Sequence, residues 1–188
     1  MENENVVFAK RCIAQACIEL MKEKDFQDIT ITEICQKSGY SRMAYYRHFE
    51  SKNDILPTYM RIIADEFRQE VLKKMPQADS RSYEILLYSF RYFKNLHEFV
   101  ECLAKANLTS ILQYGLNYYM DTYLAGSEAD MSTRYSLYYY AGGIFNLYSI
   151  WILTGMKESC EEMAQIVFER MHKKKLRFYL AKIYIWIF

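Results

Sequence analysis

The chain has 188 residues, 52% of them hydrophobic, and a formal net charge of +1. That length supports one large or two small domains with a substantial core, while the near-neutral balance excludes a uniformly basic nucleic-acid binder. Cys12, Cys17, Cys35, Cys102 and Cys160 form no CxxC pair and no zinc-like Cys/His spacing, so neither a disulfide framework nor a metal site is expected. They read as small buried apolar side chains, with redox sensing as the alternative.

Met1 to Asn5 is acidic and polar and has no signal-peptide character, which places the protein in the cytoplasm as an expectation. Residues 6–24 carry a broad apolar stripe at helical spacing: Phe8, Cys12, Ala16 and Leu20, with Ile13, Cys17 and Met21 beside them. This predicts an amphipathic helix that buttresses whatever follows.

Thr30 is followed three residues later by Glu33, the spacing of a capping box, so a second helix is predicted from Ile31. Gly39 suits the left-handed residue that ends a helix, and Ser41 offers a new N-cap two positions later. Two short helices therefore meet at a sharp corner. Tyr45 and Phe49 are one turn apart and can join Ile31, Ile34 and Tyr40 in a small core. Arg42, Met43, Ala44 and Arg47 then fall on the opposite side.

In a helix-turn-helix the second helix enters the major groove of double-stranded DNA and presents its early residues to base edges. Arg42, Met43, Ala44 and Arg47 are the predicted base-facing set, since a guanidinium can pair bidentately with guanine O6 and N7. Thr30, Ser41, Tyr46, His48 and Lys52 are better suited to phosphate, where a hydroxyl, an imidazole N–H or an ammonium fixes position. Residues 1–52 hold eight Lys plus Arg against eight Asp plus Glu, but residues 36–52 hold Lys37, Arg42, Arg47 and Lys52 against Glu50 alone. So small a basic face gives few phosphate contacts per subunit, and dimerisation would have to supply the remaining affinity.

These residues resemble the DNA-binding domain of the TetR family of transcriptional regulators. Members typically carry a Thr-capped helix, Ala-Gly-Val-Ser, a variable patch, a Tyr, one residue, His-Phe, and a Lys three residues beyond the Phe. Here stand Thr30, Ser38-Gly39-Tyr40-Ser41, Tyr46, His48-Phe49 and Lys52. Cys35, Ser38, Tyr40 and Tyr45 depart from the usual apolar or small residues without adding charge. The resemblance covers about residues 6 to 60. It implies an all-α protein with a three-helix DNA-binding domain over 1–50, a connecting helix over 51–76, and a helical regulatory and dimerisation domain over 77–188. It also implies a dimeric repressor of a palindromic operator, released by a small-molecule effector through the connecting helix.

Ser51 is the expected cap of that connecting helix, which runs to about Met75 before Pro76 ends it, and Pro57 inside it is expected to bend the axis. Further helices are expected over about 80–94, 96–106, 108–125, 131–154 and 159–180. No 18-residue uncharged apolar run is present, so no membrane span is expected.

Leu137 to Trp151 is apolar nearly all round, with Ala141, Gly142 and Gly143 offering close backbone approach. The family resemblance implies dimerisation through the last two helices. The expected seam holds Tyr140, Gly143, Ile144, Leu147 and Trp151, with Met163, Ile166, Val167 and Arg170 from the last helix. Packing within one subunit accounts for the same residues nearly as well.

Eighteen Tyr and ten Met allow a stacking or cation–π pocket, which we place among Tyr88, Tyr92, Phe99, Leu103, Tyr114 and Tyr118. An ordinary aromatic core is the competing reading. At the C-terminus a basic run, His172 to Lys175 with Arg177, precedes the apolar Ile183 to Phe188, read as a hydrophobic tail packed on the body. Neither a phosphate-binding glycine loop nor HExxH, GxSxG or a paired-carboxylate motif occurs, and no cofactor is expected. Two functions other than an effector-released repressor remain open at this level. One is a helix-turn-helix regulator controlled by a partner protein or acting as an activator; the other is a helical enzyme or scaffold.

Overall fold

A computed structural model describes residues 3–79, 82–126 and 129–172. The described residues form nine α-helices and no strand, in the order α1 (Glu4–Glu23), α2 (Ile31–Ser38), α3 (Arg42–His48), α4 (Ile55–Lys74), α5 (Tyr83–Lys94), α6 (His97–Lys105), α7 (Ser110–Tyr119), α8 (Met131–Leu153) and α9 (Cys160–His172). Short 3-10 turns precede α2 and α4, and α7 runs on into a π-helical turn over Met120–Ala125. The apolar C-terminal hexapeptide and the basic residues from Lys173 lie outside the described residues.

Local chemistry sets the boundaries of the first four helices. The Thr30 side chain accepts the Glu33 N–H while the Glu33 carboxylate accepts the Thr30 N–H, so both halves of the capping box are made. Gly39 ends α2 at φ 76°, a left-handed conformation that side chains with a Cβ rarely adopt. Before α4, the Asp54 carboxylate accepts hydrogen bonds from the Ser51 N–H and hydroxyl.

Pro57 sits where no bend is required. It is the third residue of an uninterrupted α4, where a backbone N–H has no intrahelical acceptor and its loss costs no ladder bond. The α1 stripe also needs one correction: Ile13, Cys17, Leu20 and Met21 are buried, but Phe8 is 61% exposed.

The main hydrophobic core runs from α1, α2 and α3 through Ile55, Leu56 and Tyr59 of α4 into Phe99, Val100 and Leu103 of α6, then to Trp151 and Val167, and a smaller cluster gathers Phe67, Val71 and Ile85. Ion pairs bind α1 to both neighbours: Arg11 pairs with Glu66 of α4, and Lys22 with Glu98 of α6 at 2.6 Å. Helices α4 and α7 cross closely, because a Cβ on Gly115 would lie 2.5 Å from Met60 Cε.

The cysteines are all free. Burial pushes the Cys17 thiol up to about 12 against the pull of Lys52, and raises those of Cys35 and Cys102 as well. Held as thiols, they are poor nucleophiles, which favours the packing role over redox sensing. Among the described residues no helix is long and apolar enough to cross a membrane.

Candidate nucleic-acid interface

Helix α3 divides cleanly between inward and outward faces. Tyr45 and Phe49 are buried, with ring centroids 5.6 Å apart, and pack with Ile34 against α1. Burial raises the pKa of Tyr45, whose hydroxyl finds no hydrogen-bond partner among the described residues. On the opposite side Arg42 and Arg47 are exposed, Met43 is 76% exposed, and Ala44 is half-buried between them. The Ser41 hydroxyl oxygen accepts the Ala44 N–H at 3.1 Å, which caps the start of the helix that carries Arg42 and Met43. Tyr46 lies edge-on to Tyr45 at 5.2 Å and stays half exposed.

Most nearby cations are already engaged. Lys37 pairs with Glu23 of α1 at 3.2 Å and Lys24 with Glu33 at 2.5 Å. Arg42 and Arg47 make no hydrogen bond or ion pair with another described residue. Two guanidiniums on a short exposed helix, unneutralised by neighbours, provide the donor sets for groove recognition.

Two phosphate assignments are corrected. The Lys52 ammonium donates to three backbone carbonyls, Phe26 at 2.6 Å, Gln27 at 2.9 Å and Ile29 at 2.7 Å, and lies 4.7 Å from the Phe26 ring centroid. Its three protons are used, so it locks the α1–α2 connection instead of reaching for phosphate. The Thr30 hydroxyl likewise donates to Glu33 Oε2 while accepting the Glu33 N–H. Ser41 and Tyr46 remain exposed at the α3 surface, and His48 is half-buried with an interaction inside the protein.

The body encloses a cavity of about 250 Å³ between α4, α5, α7 and α8. Its walls include Met60, Phe67, Leu86, Phe93, Leu116 and Tyr148. None of Tyr88, Tyr92, Phe99, Leu103, Tyr114 and Tyr118 lines it, which corrects the predicted pocket. Tyr88 and Tyr92 pack on Phe67 from outside, Phe99 and Leu103 fill the core, Tyr114 is exposed, and Tyr118 donates to Asp65. An aromatic stripe read along one helix does not say which neighbour it packs against.

The expected dimer seam divides in the same way. Trp151, Met163 and Val167 are at most 4% exposed within a single chain, with the Trp151 indole donating to the Glu158 carbonyl at 2.9 Å. Tyr140, Ile144 and Leu147 are half-buried; Gly143, Ile166 and Arg170 are exposed. The open face of α8 is instead a stripe of Tyr135, Tyr139, Gly143, Asn146, Ile150 and Leu153, with Ile166 of α9 also exposed. The spacing was present in the sequence, but an all-apolar helix carries no phase to show which stripe faces out.

A capped helix pair with an exposed arginine-bearing second helix defines a helix-turn-helix DNA-binding protein. Residues 13–58 match the family described as "Bacterial regulatory proteins, tetR family", and residues 80–173 match "Transcriptional regulator C-terminal region". The chain belongs to the TetR family of DNA-binding transcriptional regulators, and so is a regulator and not an enzyme. No curated protein matches it by sequence. Among solved structures it is similar to the "Dihydroxyacetone kinase operon activator DhaS", at 19% identity and TM-score 0.54 over 94% of this chain and 97% of that one. It is also similar to the fatty acid degradation regulator FadR from Bacillus halodurans, at 17% identity and TM-score 0.56 over 89% and 96% of the two chains. A TetR-family regulator from Streptomyces coelicolor matches at 14% identity and TM-score 0.50 over 90% and 80%. At such identities these likenesses show the fold alone.

Proposed function

We propose that the protein is a homodimeric repressor that binds a palindromic operator through α3 and is released by a small molecule lodged in the body. The observation that carries this reading is the exposed pair Arg42 and Arg47 on a helix whose other face is fixed in the core. Residues 1–50 act as the DNA-binding head, 51–76 as the connecting helix and 77–188 as the regulatory and dimerisation body. Arg42, Met43, Ala44 and Arg47 face the bases; Ser41, Tyr46 and His48 adjoin the phosphates. The site of action is the cytoplasm, where the chromosome is accessible.

Dimerisation uses the open stripe of α8, with Gly142 and Gly143 allowing close approach and Ile166 and Arg170 of α9 alongside. A C2 dimer of this kind presents two copies of α3 to half-sites about 34 Å apart. A second reading, in which the same head activates transcription, is supported by the fold likeness to the operon activator.

Selection of bound duplexes from a random pool, with wild-type protein and Arg42→Ala and Arg47→Ala variants, tests the proposal. Enrichment of a palindrome is expected, with each variant losing roughly 1–3 kcal/mol and relaxing preference at one base position. Equal losses on specific and random DNA would remove the base-reading assignment. Recovery of non-palindromic single sites would remove the dimer.

A further inference from the structure

The walls of the body cavity specify a chemical class of ligand. Its surface is dominated by aliphatic and aromatic side chains, among them Met60, Ile63, Phe67, Leu86 and Phe93. Among the described residues one charged side chain, Arg68, lines it, and no carboxylate does. The guanidinium lies 5.8 Å from the Tyr123 ring centroid, and Tyr119 lines the same cavity, its hydroxyl's pKa raised by burial and pulled back by the Arg68 charge.

The carboxylates nearest Arg68 along α4 all have other partners. Asp65 accepts the hydroxyls of Tyr118 and Tyr123 at 2.9 and 2.7 Å. Glu66 pairs with Arg11, and Glu70 with Lys74 and the Tyr88 hydroxyl. Arg68 itself makes no ion pair with another described residue. A half-buried cation without a counter-charge among the described residues, at the edge of an apolar chamber, attracts an anion and penalises a cation.

We propose that the cavity binds an apolar monoanion, an aliphatic or aryl carboxylate whose chain lies among Met60, Phe67 and Phe93 and whose carboxylate meets Arg68 and the Tyr119 hydroxyl. This assignment rests on the reading of the protein as effector-controlled and names the class of effector. Size supports the shorter members: a 150 Å³ apolar cavity holds benzene, so one of about 250 Å³ takes ~10 non-hydrogen atoms. Octanoate has that size, and octanol and octylamine share its chain with a neutral and a cationic head.

Calorimetric titration of the full-length protein with these three compounds tests the assignment. Octanoate is expected to bind roughly tenfold or more tightly than octanol, and octylamine most weakly, as for one charge-assisted hydrogen-bonded pair. In Arg68→Met the octanoate advantage disappears while octanol affinity holds; in Arg68→Lys part of the advantage returns. Ala64→Leu, which fills the chamber, weakens all compounds.

Equal binding of the three heads, an octanoate preference surviving in Arg68→Met, binding undisturbed by Ala64→Leu, or absence of binding would each overturn the proposal. Operator binding measured without any compound separates the two readings. A protein that selects a palindrome but ignores octanoate retains the regulatory function and loses this ligand class. One that binds octanoate as described but selects no duplex keeps the ligand class and loses the regulatory reading.

Discussion

Lys52 provides the sharpest test, because its position within a DNA-binding motif points to phosphate while its surroundings point to structure. Lys52→Met keeps most of the aliphatic stem and deletes three charge-assisted hydrogen bonds to the carbonyls of Phe26, Gln27 and Ile29. Such bonds contribute about 1.5–3 kcal/mol each when the acceptors have no alternative. Here the Gln27 contact is exposed and the other two part-buried, so water replaces much of what is lost. A net cost of roughly 2–3 kcal/mol remains, equivalent to ~4–12 °C in melting temperature for a chain of this size. Thermal and urea unfolding measure that cost. Duplex binding is then titrated across salt concentrations at a temperature where the variant is fully folded. The expected outcome is a large stability loss with an unchanged dependence of binding on salt. Unchanged stability with a slope reduced by about one would show that Lys52 neutralises a phosphate and would refute its role as a lock.

Three other outcomes can be checked independently. Hydrogen bonds from Lys24 and Thr30 lower the Glu33 pKa from 4.5 to about 2, so its stabilisation is complete above about 4.5 and disappears as pH falls toward 2. Glu33→Gln should flatten the acid limb of a stability–pH profile in that window, and an unaltered limb would refute the linkage. Ile150→Glu should convert the proposed dimer to a folded monomer in sedimentation. By contrast, Trp151→Ala should lower chain stability by about 3–5 kcal/mol, as expected for an aromatic buried inside the subunit. Gly115→Ala should lose about 1–2 kcal/mol, overpacking against Met60 exceeding the helix-propensity gain, and combining it with Met60→Ala should give a non-additive change measured by denaturation.

The head was legible because its signals are local. Thr30 and Glu33 meet across three residues, Gly39 supplies its own left-handed turn, and Ser41 caps the helix it begins. Each of these can be read in a window of five residues, and the inward turn of Tyr45 and Phe49 follows from the same helical period. Failures arose where the deciding partner is distant in sequence. Lys52 binds carbonyls more than twenty residues upstream, and nothing around it announces them. The aromatic pattern of α5 and α7 located a packed layer but not its hollow side, which α4 defines through Met60, Phe67 and Arg68. In α8, Trp151 and Ile150 are neighbouring large apolar residues, and only the position of α9 and the core decides that one is buried and the other exposed.

The uninterrupted run of α4 has a mechanical consequence. Ile55, Leu56 and Tyr59 at its start sit in the core shared with the head, while Met60, Ile63, Phe67 and Val71 further along line the body cavity. Twenty residues make a rod about 30 Å long, and tilting such a rod by about 5° about one end carries the other through ~2.6 Å. That is nearly the length of a hydrogen bond. With Pro57 absorbed into the first turn, no joint along the rod dissipates the displacement. Two such rods in a dimer would change the span between recognition helices by up to about 5 Å, enough to put both out of register with adjacent major grooves.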